Sequence, residues 1–520
     1  LLGSCKLSNS SGVCATLTNA FVLRHGQKEV TISTIIEAGV PKMKRVLLTA
    51  HKFFPEHRAG TEVLTLRIAK ELTKRGYEVL VVAANPPDVD ARRRPGRETS
   101  DYEYEGIRVH IVEEPLRLKN YKFSYEYFHP EVSRHFAEIV KAFSPDLIQI
   151  VHAQNLSAGI IEEARKLGLP VVFYATDFWF VCPIVQLKRP DGAVCRGPGP
   201  MALKCLDCYT PKLFPPASEF EEAIASRHGA QIKLLSAFPK PLSSALTRIL
   251  YGAYCSLKAK AAVEATLKRP KALRDYANQM QAILVPTKLL RDVFIENGIA
   301  ANLVHHVPFG IDTASLNPYQ QKTPSDKLRI GFIGTLFEHK GPDLLVKAFL
   351  ALPPDAEAEL KIYGDPKQFP EYGEKLMAMA HDGSANASKI HFAGTFPQAK
   401  FGEVMANLDL LVVPSRWYEN TPLVIQSALA TKTPLIATDL GGMAEIIHHE
   451  VNGLLFALND SRSLKDQLLK VLNDRSLIER FRANIQAERS VEQMVDDIEA
   501  VYNKLWNAPA KTPAGTGANY

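Results

Sequence analysis

Residues 407–456 contain the side chains whose types and spacing point most clearly to chemistry. Their pattern predicts a buried strand, Leu410–Val413, then a loop and a helix that begins near Pro422. Unpaired amide groups and the positive end of the dipole at a helix start favour a bound phosphate. The predicted helix start offers the amide groups of four residues: Asn420, Thr421, Leu423 and Val424.

Glu419 stands directly before this helix start, where its carboxylate is placed to accept hydrogen bonds from sugar hydroxyls. The alternative is that Glu419 and Asn420 are ordinary helix caps. A group that binds hydroxyls beside a group that binds phosphate suits a sugar nucleotide, and we take this as the working hypothesis.

The surrounding elements predict how these side chains are positioned. Leu410–Val413, the helix and a second strand, Leu435–Thr438, form a βαβ unit whose working loops lie at the carboxyl ends of the strands. The same alternation of strands and helices runs through both halves of the chain, which predicts two doubly wound halves. No G-x-G-x-x-G follows a strand, so a dinucleotide-binding dehydrogenase has little support.

The run PSRWYENTPLVIQSALA, followed by TPLIATDLGGMAEIIHHEVNGLLF, resembles the donor-binding signature of the retaining family 4 (group 1) glycosyltransferases. The resemblance covers roughly residues 44–506. It implies an α/β protein of the GT-B fold, with two doubly wound Rossmann-like domains facing a cleft. It also implies sugar transfer from a nucleoside diphosphate sugar to a glycan, lipid-linked or small-molecule acceptor, with retention of configuration and no metal required for catalysis.

The family typically has a Glu-x7-Glu pair that holds the donor sugar and the ribose. Glu419 matches the first position, whereas Ser427 stands at the second. A serine hydrogen-bonds a ribose hydroxyl more weakly than a carboxylate does. A catalytically impaired binding or scaffold protein is therefore one alternative, and a nucleotide-sugar epimerase on the same fold is another.

The resemblance assigns further donor contacts to the loop after strand 328–333. Gly334 and Lys340 match the family pattern, and Lys340 would neutralise the diphosphate. Thr335 stands where the family often has an arginine. Arg416 is a candidate for the missing cation.

Further cleft residues, most of them on the acceptor side, are expected in the first half. Gly60 lies in a loop that resembles the first glycine-rich loop of the family and would let the backbone approach the donor phosphate or the acceptor; a plain turn glycine is the alternative. His152 follows a buried strand and matches a histidine at the acceptor entrance, unless it is structural. Asp177 and Trp179 follow the next strand, and core packing is the alternative for Trp179.

Four cysteines fall in one loop, the last two as C-x-x-C: Cys182, Cys195, Cys205 and Cys208. Four thiolates suit a structural zinc ion that fastens an irregular loop. Packed thiols, disulfides and an iron–sulfur cluster are the alternatives.

We expect four segments: residues 1–42 as a tail or upstream sequence, 43–316 as the acceptor-binding domain, 317–490 as the nucleotide-sugar-binding domain, and 491–520 as a crossover helix with a disordered tail. Residues 88–105 are polar and predict a surface loop. The basic segment 218–280 is expected to be a helical insert packed on the first domain, or an apolar face on a lipid surface.

Composition limits the partners and the compartment. The 62 basic and 56 acidic residues give a formal charge of +6, too small an excess to indicate nucleic-acid binding, although it would suit contact with an anionic membrane surface. No apolar run approaches the length of about 20 residues that a transmembrane helix needs. Seven unevenly placed cysteines favour a reducing environment, so we expect a cytoplasmic enzyme, with contact at the membrane surface left open.

Overall fold

The computed structural model describes seven stretches of the chain: residues 22–24, 29–31, 43–84, 101–112, 123–199, 202–213 and 240–507. The chain divides into two compact units, Leu1–Lys44 and Arg45–Tyr520. In the first unit, β1 (Val22–Arg24) pairs antiparallel with β2 (Glu29–Thr31). The second unit contains two large sheets, each of which forms the centre of one domain.

Within the described residues, the sheet of the first domain has eight strands. They are β3 (Arg45–Ala50), β4 (Glu78–Ala84), β5 (Asp101–Tyr104), β6 (Ile107–Val112), β7 (Leu147–Ile150), β8 (Val171–Tyr174), β9 (Ala282–Val285) and β10 (Val304–His306). Their order across the sheet is β10-β9-β8-β7-β3-β4-β6-β5, and every pair except β5 with β6 is parallel. The chain therefore leaves β3 in one direction and returns on its other side at β7.

The described helices of the first domain are α1 (Gly60–Lys74), α2 (Pro130–Phe143), α3 (Gly159–Lys166), α4 (Leu203–Leu213), α5 (Lys240–Ala277) and α6 (Lys288–Glu296). The apolar face of α1 repeats at helical spacing through Leu64, Ile68 and Leu72, and all three side chains are buried against the sheet. The hydroxyl of Thr287 caps α6 by accepting a hydrogen bond from the amide of Leu290 at 3.1 Å.

The sheet of the second domain has six parallel strands among the described residues. They are β11 (Leu328–Ile333), β12 (Ala358–Tyr363), β13 (Ile390–Gly394), β14 (Leu410–Val413), β15 (Leu435–Thr438) and β16 (Gly453–Phe456). The order β13-β12-β11-β14-β15-β16 reverses between β11 and β14. Such a reversal opens a crevice at the carboxyl ends of the two strands, which is the usual ligand position in this kind of sheet.

The described helices that follow β10 are α7 (Thr313–Leu316), α8 (Pro342–Leu350), α9 (Pro370–Ala380), α10 (Phe401–Ala406), α11 (Leu423–Ala430), α12 (Gly441–Ile446), α13 (Ser461–Asn473), α14 (Ser476–Asn484) and α15 (Val491–Trp506). Short 3₁₀ turns occur at Phe123–Glu126, Ala301–Leu303, Asn317–Tyr319, Glu338–Lys340, Ala387–Lys389 and Gln398–Lys400.

The last helix, α15, packs on the first domain rather than the second. Met494 and Ile498 belong to the same buried cluster as strands β3 and β4. The hydroxyl of Tyr502 donates to the Gln149 side chain inside the first sheet, and Arg75 pairs with Asp496 at 2.8 Å. The second domain is therefore connected to the first both before β11 and after α14.

The structure corrects one prediction about a polar segment and does not describe the side chains on which another prediction depends. Residues 101–104, expected in a surface loop, form the edge strand β5, which pairs with β6. Residues 88–100 of that predicted loop lie outside the described residues, as do 214–239 and 508–520. The side chains of the proposed lipid face on α5 are likewise not described: Leu246, Ile249, Leu250, Tyr251 and Tyr254.

Candidate functional site

A cleft of about 550 Å³ lies where the carboxyl ends of both sheets meet. From the first domain it is lined by His51 after β3 and Asp177 after β8. From the second domain it is lined by Gly334 after β11 and Ser415 after β14. This volume lies within the roughly 300 to 1,000 Å³ that ligand sites usually have.

Glu419 and Lys340 form the charged centre of the second-domain wall. Glu419 is 7% exposed, and its Oε1 accepts a hydrogen bond from Lys340 Nζ at 2.6 Å. Ser415 Oγ and Trp417 Nε1 donate to the same oxygen, each at 2.8 Å. Within the described part of the chain, the other oxygen, Oε2, has no hydrogen-bond partner, so it remains available to a ligand in the cleft.

The hydrogen bonds keep Glu419 ionised. Burial alone would raise its pKa, but the charge of Lys340 and the donors on Oε1 outweigh burial and hold the pKa below its usual value. Lys340 also lies over the ring of Trp417, with Nζ 5.3 Å from the ring centre. A cation and a carboxylate are thus held side by side at the cleft.

Two glycines allow the backbone to place this pair. The amide of Gly442 donates to the carbonyl of Glu419 at 3.0 Å, and a Cβ on Gly442 would lie 1.5 Å from the carbonyl oxygen of Asn420. Gly341 has a φ of +68°, and a Cβ there would lie 2.0 Å from the carbonyl oxygen of Pro414. Neither position has room for a side chain, so both loops depend on glycine.

The helix predicted to begin near Pro422 is α11, which starts at Leu423 with Pro422 as its N-cap. The predicted donor residues at its start and on its first turns all line the cleft: Asn420, Thr421, Leu423, Val424 and Ser427. Gly60, Gly334 and Thr335 line it as well. The side chain of Asn420 also donates to the carbonyl of Thr176 at 2.8 Å, a hydrogen bond that crosses from the second domain to the first.

The structure places three predicted cleft residues away from the lining: Arg416, Trp179 and His152. Arg416 pairs with Asp343 at 2.5 Å, and its amide bonds the carbonyl of His339. Trp179 is 1% exposed and packs edge-on against Phe180 inside the first-domain core. The cation expected from Arg416 is therefore engaged by a carboxylate, and Trp179 occupies the core position that was the alternative for it.

His152 lies one layer behind the cleft, where it orients Asp177. Its Nδ1 accepts a hydrogen bond from the amide of Gln154 at 2.9 Å, so its Nε2 carries the proton and donates to Asp177 Oδ2 at 2.8 Å. The other oxygen of Asp177 accepts from the amide of Trp179. Asp177 thus faces the cleft with both oxygens anchored.

Sequence reasoning missed His51 and Glu62. The ring of His51 lies 4.5 Å from that of His152, and His51 Nε2 is 3.5 Å from Glu62 Oε1. Burial lowers the pKa of His51 well below its usual value, with His152 adding to the effect, and burial raises the pKa of Glu62. His51 directly follows β3, so the strand-end rule that selected His152 would also have found it.

The four predicted zinc ligands gather around one small pocket of about 20 Å³: Cys182, Cys195, Cys205 and Cys208. All four are free thiols. Burial raises the pKa of Cys205 to about 12, and the nearby Cys182 and Cys208 add to the rise. Among the described residues, no group of three or more histidine, cysteine or acidic side chains already has an arrangement that would hold a metal ion.

Two sequence models of glycosyltransferases match the chain. The model described as Glycosyltransferase Family 4 matches residues 58–191, and the model described as Glycosyl transferases group 1 matches residues 316–488. Together they cover more than half of the chain. The chain belongs to this glycosyltransferase family. The predicted GT-B fold is also confirmed, because solved glycosyltransferases share the two-domain architecture.

Individual relatives and structures resemble this glycosyltransferase to different extents. The lipopolysaccharide core biosynthesis mannosyltransferase LpsB of Rhizobium meliloti is 30% identical over 38% of this chain and 59% of its own length. A GDP-mannose-dependent alpha-mannosyltransferase of Mycobacterium tuberculosis is 23% identical over 86% of this chain and 92% of its own. Anabaena HepE, solved with UDP and glucose, has a TM-score of 0.56 and 17% identity over 89% of this chain and 99% of its own.

Several curated relatives match this glycosyltransferase over only part of their length. In three of them, LpsB included, the matched share is 47%, 59% and 56%, so the chain spans about half of each. Across the described residues, no helix has both the length and the apolar character that crossing a membrane requires.

Proposed function

We propose that this protein transfers a sugar from a nucleoside diphosphate sugar to an acceptor hydroxyl, with retention of anomeric configuration. The observation that carries the proposal is the pairing of Glu419 with Lys340 at 2.6 Å, in a cleft lined by both domains. A carboxylate beside a cation matches a donor that has sugar hydroxyls next to a diphosphate.

The diphosphate would lie between Lys340 and the start of α11. The amides of Thr421, Leu423 and Val424 are at or near this helix start, where unpaired N–H groups and the helix dipole favour negative charge. As the bond to the sugar breaks, charge grows on the leaving diphosphate. Donors that are already in place stabilise this charge without reorganisation.

Glu419 would hold the donor sugar and Ser427 the ribose. Oε1 of Glu419 is fully engaged by Lys340, Ser415 and Trp417, so Oε2 is the oxygen that accepts hydrogen bonds from sugar hydroxyls. Ser427 lies about one helical turn after the start of α11 and lines the same cleft. Its hydroxyl gives a neutral hydrogen bond where a second glutamate would give a charge-assisted one.

The acceptor would enter along the first-domain wall, beside Asp177 and His51. Asp177 is fixed by His152 and accepts a hydrogen bond from the acceptor hydroxyl. His51 stays neutral because burial keeps its pKa low, so it adds no positive charge on this side of the cleft. The proton of the hydroxyl passes to the leaving phosphate, as the family resemblance implies.

The donor class is supported by the names of similar proteins. HepE has been solved with UDP and with UDP-glucose, and the mycobacterial relative is named for its use of GDP-mannose. Both are nucleoside diphosphate hexoses. A saccharide or lipid-linked acceptor, reached at a membrane surface from the cytoplasm, completes the proposal.

Thermal shift and calorimetry with a panel of UDP-, GDP- and ADP-sugars test the proposal. At least one donor and its free nucleoside diphosphate should raise the melting temperature, whereas the matching sugar 1-phosphate should bind more weakly. The binding donor should then be consumed in the presence of a glycan acceptor, with release of the nucleoside diphosphate. A panel in which nothing binds would overturn the donor site.

A further inference from the structure

The four cysteines lie outside the cleft, and the transfer reaction gives them no task. They were expected in one loop, but only Cys182 and Cys195 are in the loop, whereas Cys205 and Cys208 are on helix α4. Residues 182–199 contain little regular structure beyond one bridge between Lys188 and Val194. Cys182 and Leu187 are buried in the first-domain core, whereas residues 188–197 contain no buried side chain. Contacts other than core packing must therefore help to fix this second part of the segment.

The fold brings the four cysteines to the lining of one small pocket. The amide of Leu187 donates to Cys182 Sγ at 3.4 Å, and the carbonyl of Leu187 accepts from the amide of Cys195 at 2.6 Å. Cys205 and Cys208 are three residues apart on α4, so they share one helix face. All four line a pocket of about 20 Å³, which is room for one atom or ion rather than for a multi-iron cluster.

Backbone amides donate hydrogen bonds to two of the four sulfurs. Gly197 donates its amide to Cys195 Sγ at 3.4 Å, just as Leu187 does to Cys182. Neutral thiol sulfur is a weak acceptor, whereas a metal-bound thiolate is regularly supported by such outer hydrogen bonds. Three basic side chains also line the pocket: Lys188, Arg189 and Lys204.

We propose that one zinc ion is bound here by four thiolates: Cys182, Cys195, Cys205 and Cys208. Binding releases four protons to solvent and leaves a site of net charge −2. Of the three basic side chains around it, Lys188 and Arg189 also pair with carboxylates. The sulfurs would draw in to about 2.3 Å from the metal, with tetrahedral geometry. No sulfur is oxidised, so no oxidant is needed.

The zinc would also fix the contact of this loop with the second domain. Lys188 Nζ pairs with Glu338 Oε1 at 3.1 Å, and Val194 packs against the buried cluster around β14 and α11. Glu338 begins the 3₁₀ turn that ends at Lys340, the cation of the cleft. The metal would therefore stabilise a contact between the two domains, close to Lys340.

Metal content of the full chain, purified without added metal and desalted over a chelating resin, tests the ligand set. Wild type should contain about one zinc per chain by mass spectrometry, and Cys182→Ser and Cys205→Ser should lose most of it. Cys255→Ser, which removes a thiol from α5, is the matched control and should keep its zinc. If the ligand variants fail to fold, release of zinc from wild type by a thiol-blocking reagent gives the same answer.

Three results would overturn the metal assignment. They are metal-free wild type with four reactive thiols, wild type with disulfides under non-reducing mass spectrometry, and wild type that contains iron with visible absorbance. These results are independent of the transfer reaction, because no sugar nucleotide is present in the measurement.

Hydrogen exchange of the peptide that spans residues 183–196 tests whether zinc holds this loop in place. Exchange should speed up at least severalfold when zinc is removed. It should also speed up in Lys188→Ala, which breaks the pair with Glu338 while zinc stays bound. Unchanged exchange after zinc removal would show that the metal does not fix the loop.

Discussion

At the scale of single residues, the site depends on one buried carboxylate and the cation that compensates it. Glu419 is almost fully buried, and burial of a carboxylate is costly unless it is paired and hydrogen-bonded. Lys340, Ser415 and Trp417 supply that compensation through a single oxygen. All three donors bind Oε1, so Oε2 remains available to a ligand in the cleft.

Lys340→Ala should impair both stability and transfer. It leaves Glu419 buried without its cation, which costs about 1 to 3 kcal/mol of the free energy of unfolding. Loss of charge stabilisation on the leaving diphosphate should lower kcat on the order of a hundredfold or more. Chemical denaturation and steady-state kinetics measure the two effects, with Lys400→Ala as the control because Lys400 forms an exposed pair with Glu403. Wild-type kcat in Lys340→Ala would contradict the donor assignment.

Ser427→Glu tests the ribose contact. A carboxylate at this lining position replaces a neutral hydrogen bond with a charge-assisted one, so nucleotide binding should tighten by roughly 1 kcal/mol. Ser427→Ala should weaken binding by a similar amount. Calorimetry with the preferred nucleotide measures both variants. Equal affinities in all three proteins would show that Ser427 does not contact the nucleotide.

At the scale of elements, side chains from distant parts of the chain meet because strand ends meet. The helix α11 and the strands β14 and β15 were predicted within about a residue, because their apolar runs and turn signals are strong. The edge strand β5 was missed because DYEY is polar and alternates between exposed and half-buried positions. Its pairing with β6 comes from the tertiary structure, which local pattern cannot reveal.

Gly442→Ala tests how α12 supports the site. A methyl group there would collide with the Asn420 carbonyl, so the loop that carries Glu419 must shift. We expect a loss of about 1 to 3 kcal/mol in unfolding free energy and a marked loss of donor affinity. Gly60→Ala is the control for stability, because a Cβ at Gly60 meets no atom within 4 Å. Donor affinity equal to wild type in Gly442→Ala would show that the loop tolerates the shift.

His339 makes the stability of this region sensitive to acid. Burial, with Lys340 adding to it, lowers the pKa of His339 to about 4. In the unfolded chain this histidine takes up a proton near pH 6.5, whereas in the native protein it does so only near pH 4. The native state therefore keeps its full stability with respect to this group above pH 6.5 and loses stability as the pH falls from 6.5 toward 4. His339 should therefore lower the free energy of unfolding by about 2 to 3 kcal/mol between pH 7 and pH 4.5.

Denaturation curves at pH 7 and pH 4.5 measure this loss of unfolding free energy. His339→Gln should lose less stability than wild type over the same interval, because its side chain does not titrate. Parallel losses in the two proteins would contradict the role of His339.

At the scale of the whole molecule, the cleft exists because the carboxyl ends of two doubly wound sheets face each other. This architecture was predictable, because strands and helices alternate along both halves and the 407–456 stretch resembles a known donor signature. Contacts between the domains were not predictable. The bond from Asn420 to Thr176 joins residues 244 positions apart, and the pair of Lys188 with Glu338 joins residues 150 apart.

The same limit applied to site residues. Glu419 and Lys340 were found because each occupies a motif position, and the structure places them together. Arg416 was chosen for its charge alone, and only the fold shows that Asp343 engages it. His152 was expected at the acceptor entrance, but the fold places Asp177 in front of it.

The central claim is that Glu419 holds a sugar nucleotide donor in this cleft, and turnover of Glu419→Gln tests it most directly. The variant keeps the shape of the side chain and removes its charge, so release of nucleoside diphosphate from the preferred donor should fall on the order of a hundredfold or more. Glu403→Gln, at an exposed site in the same domain, should match wild type. Circular dichroism and the melting temperature establish that both variants are folded. Wild-type turnover in folded Glu419→Gln would contradict the account.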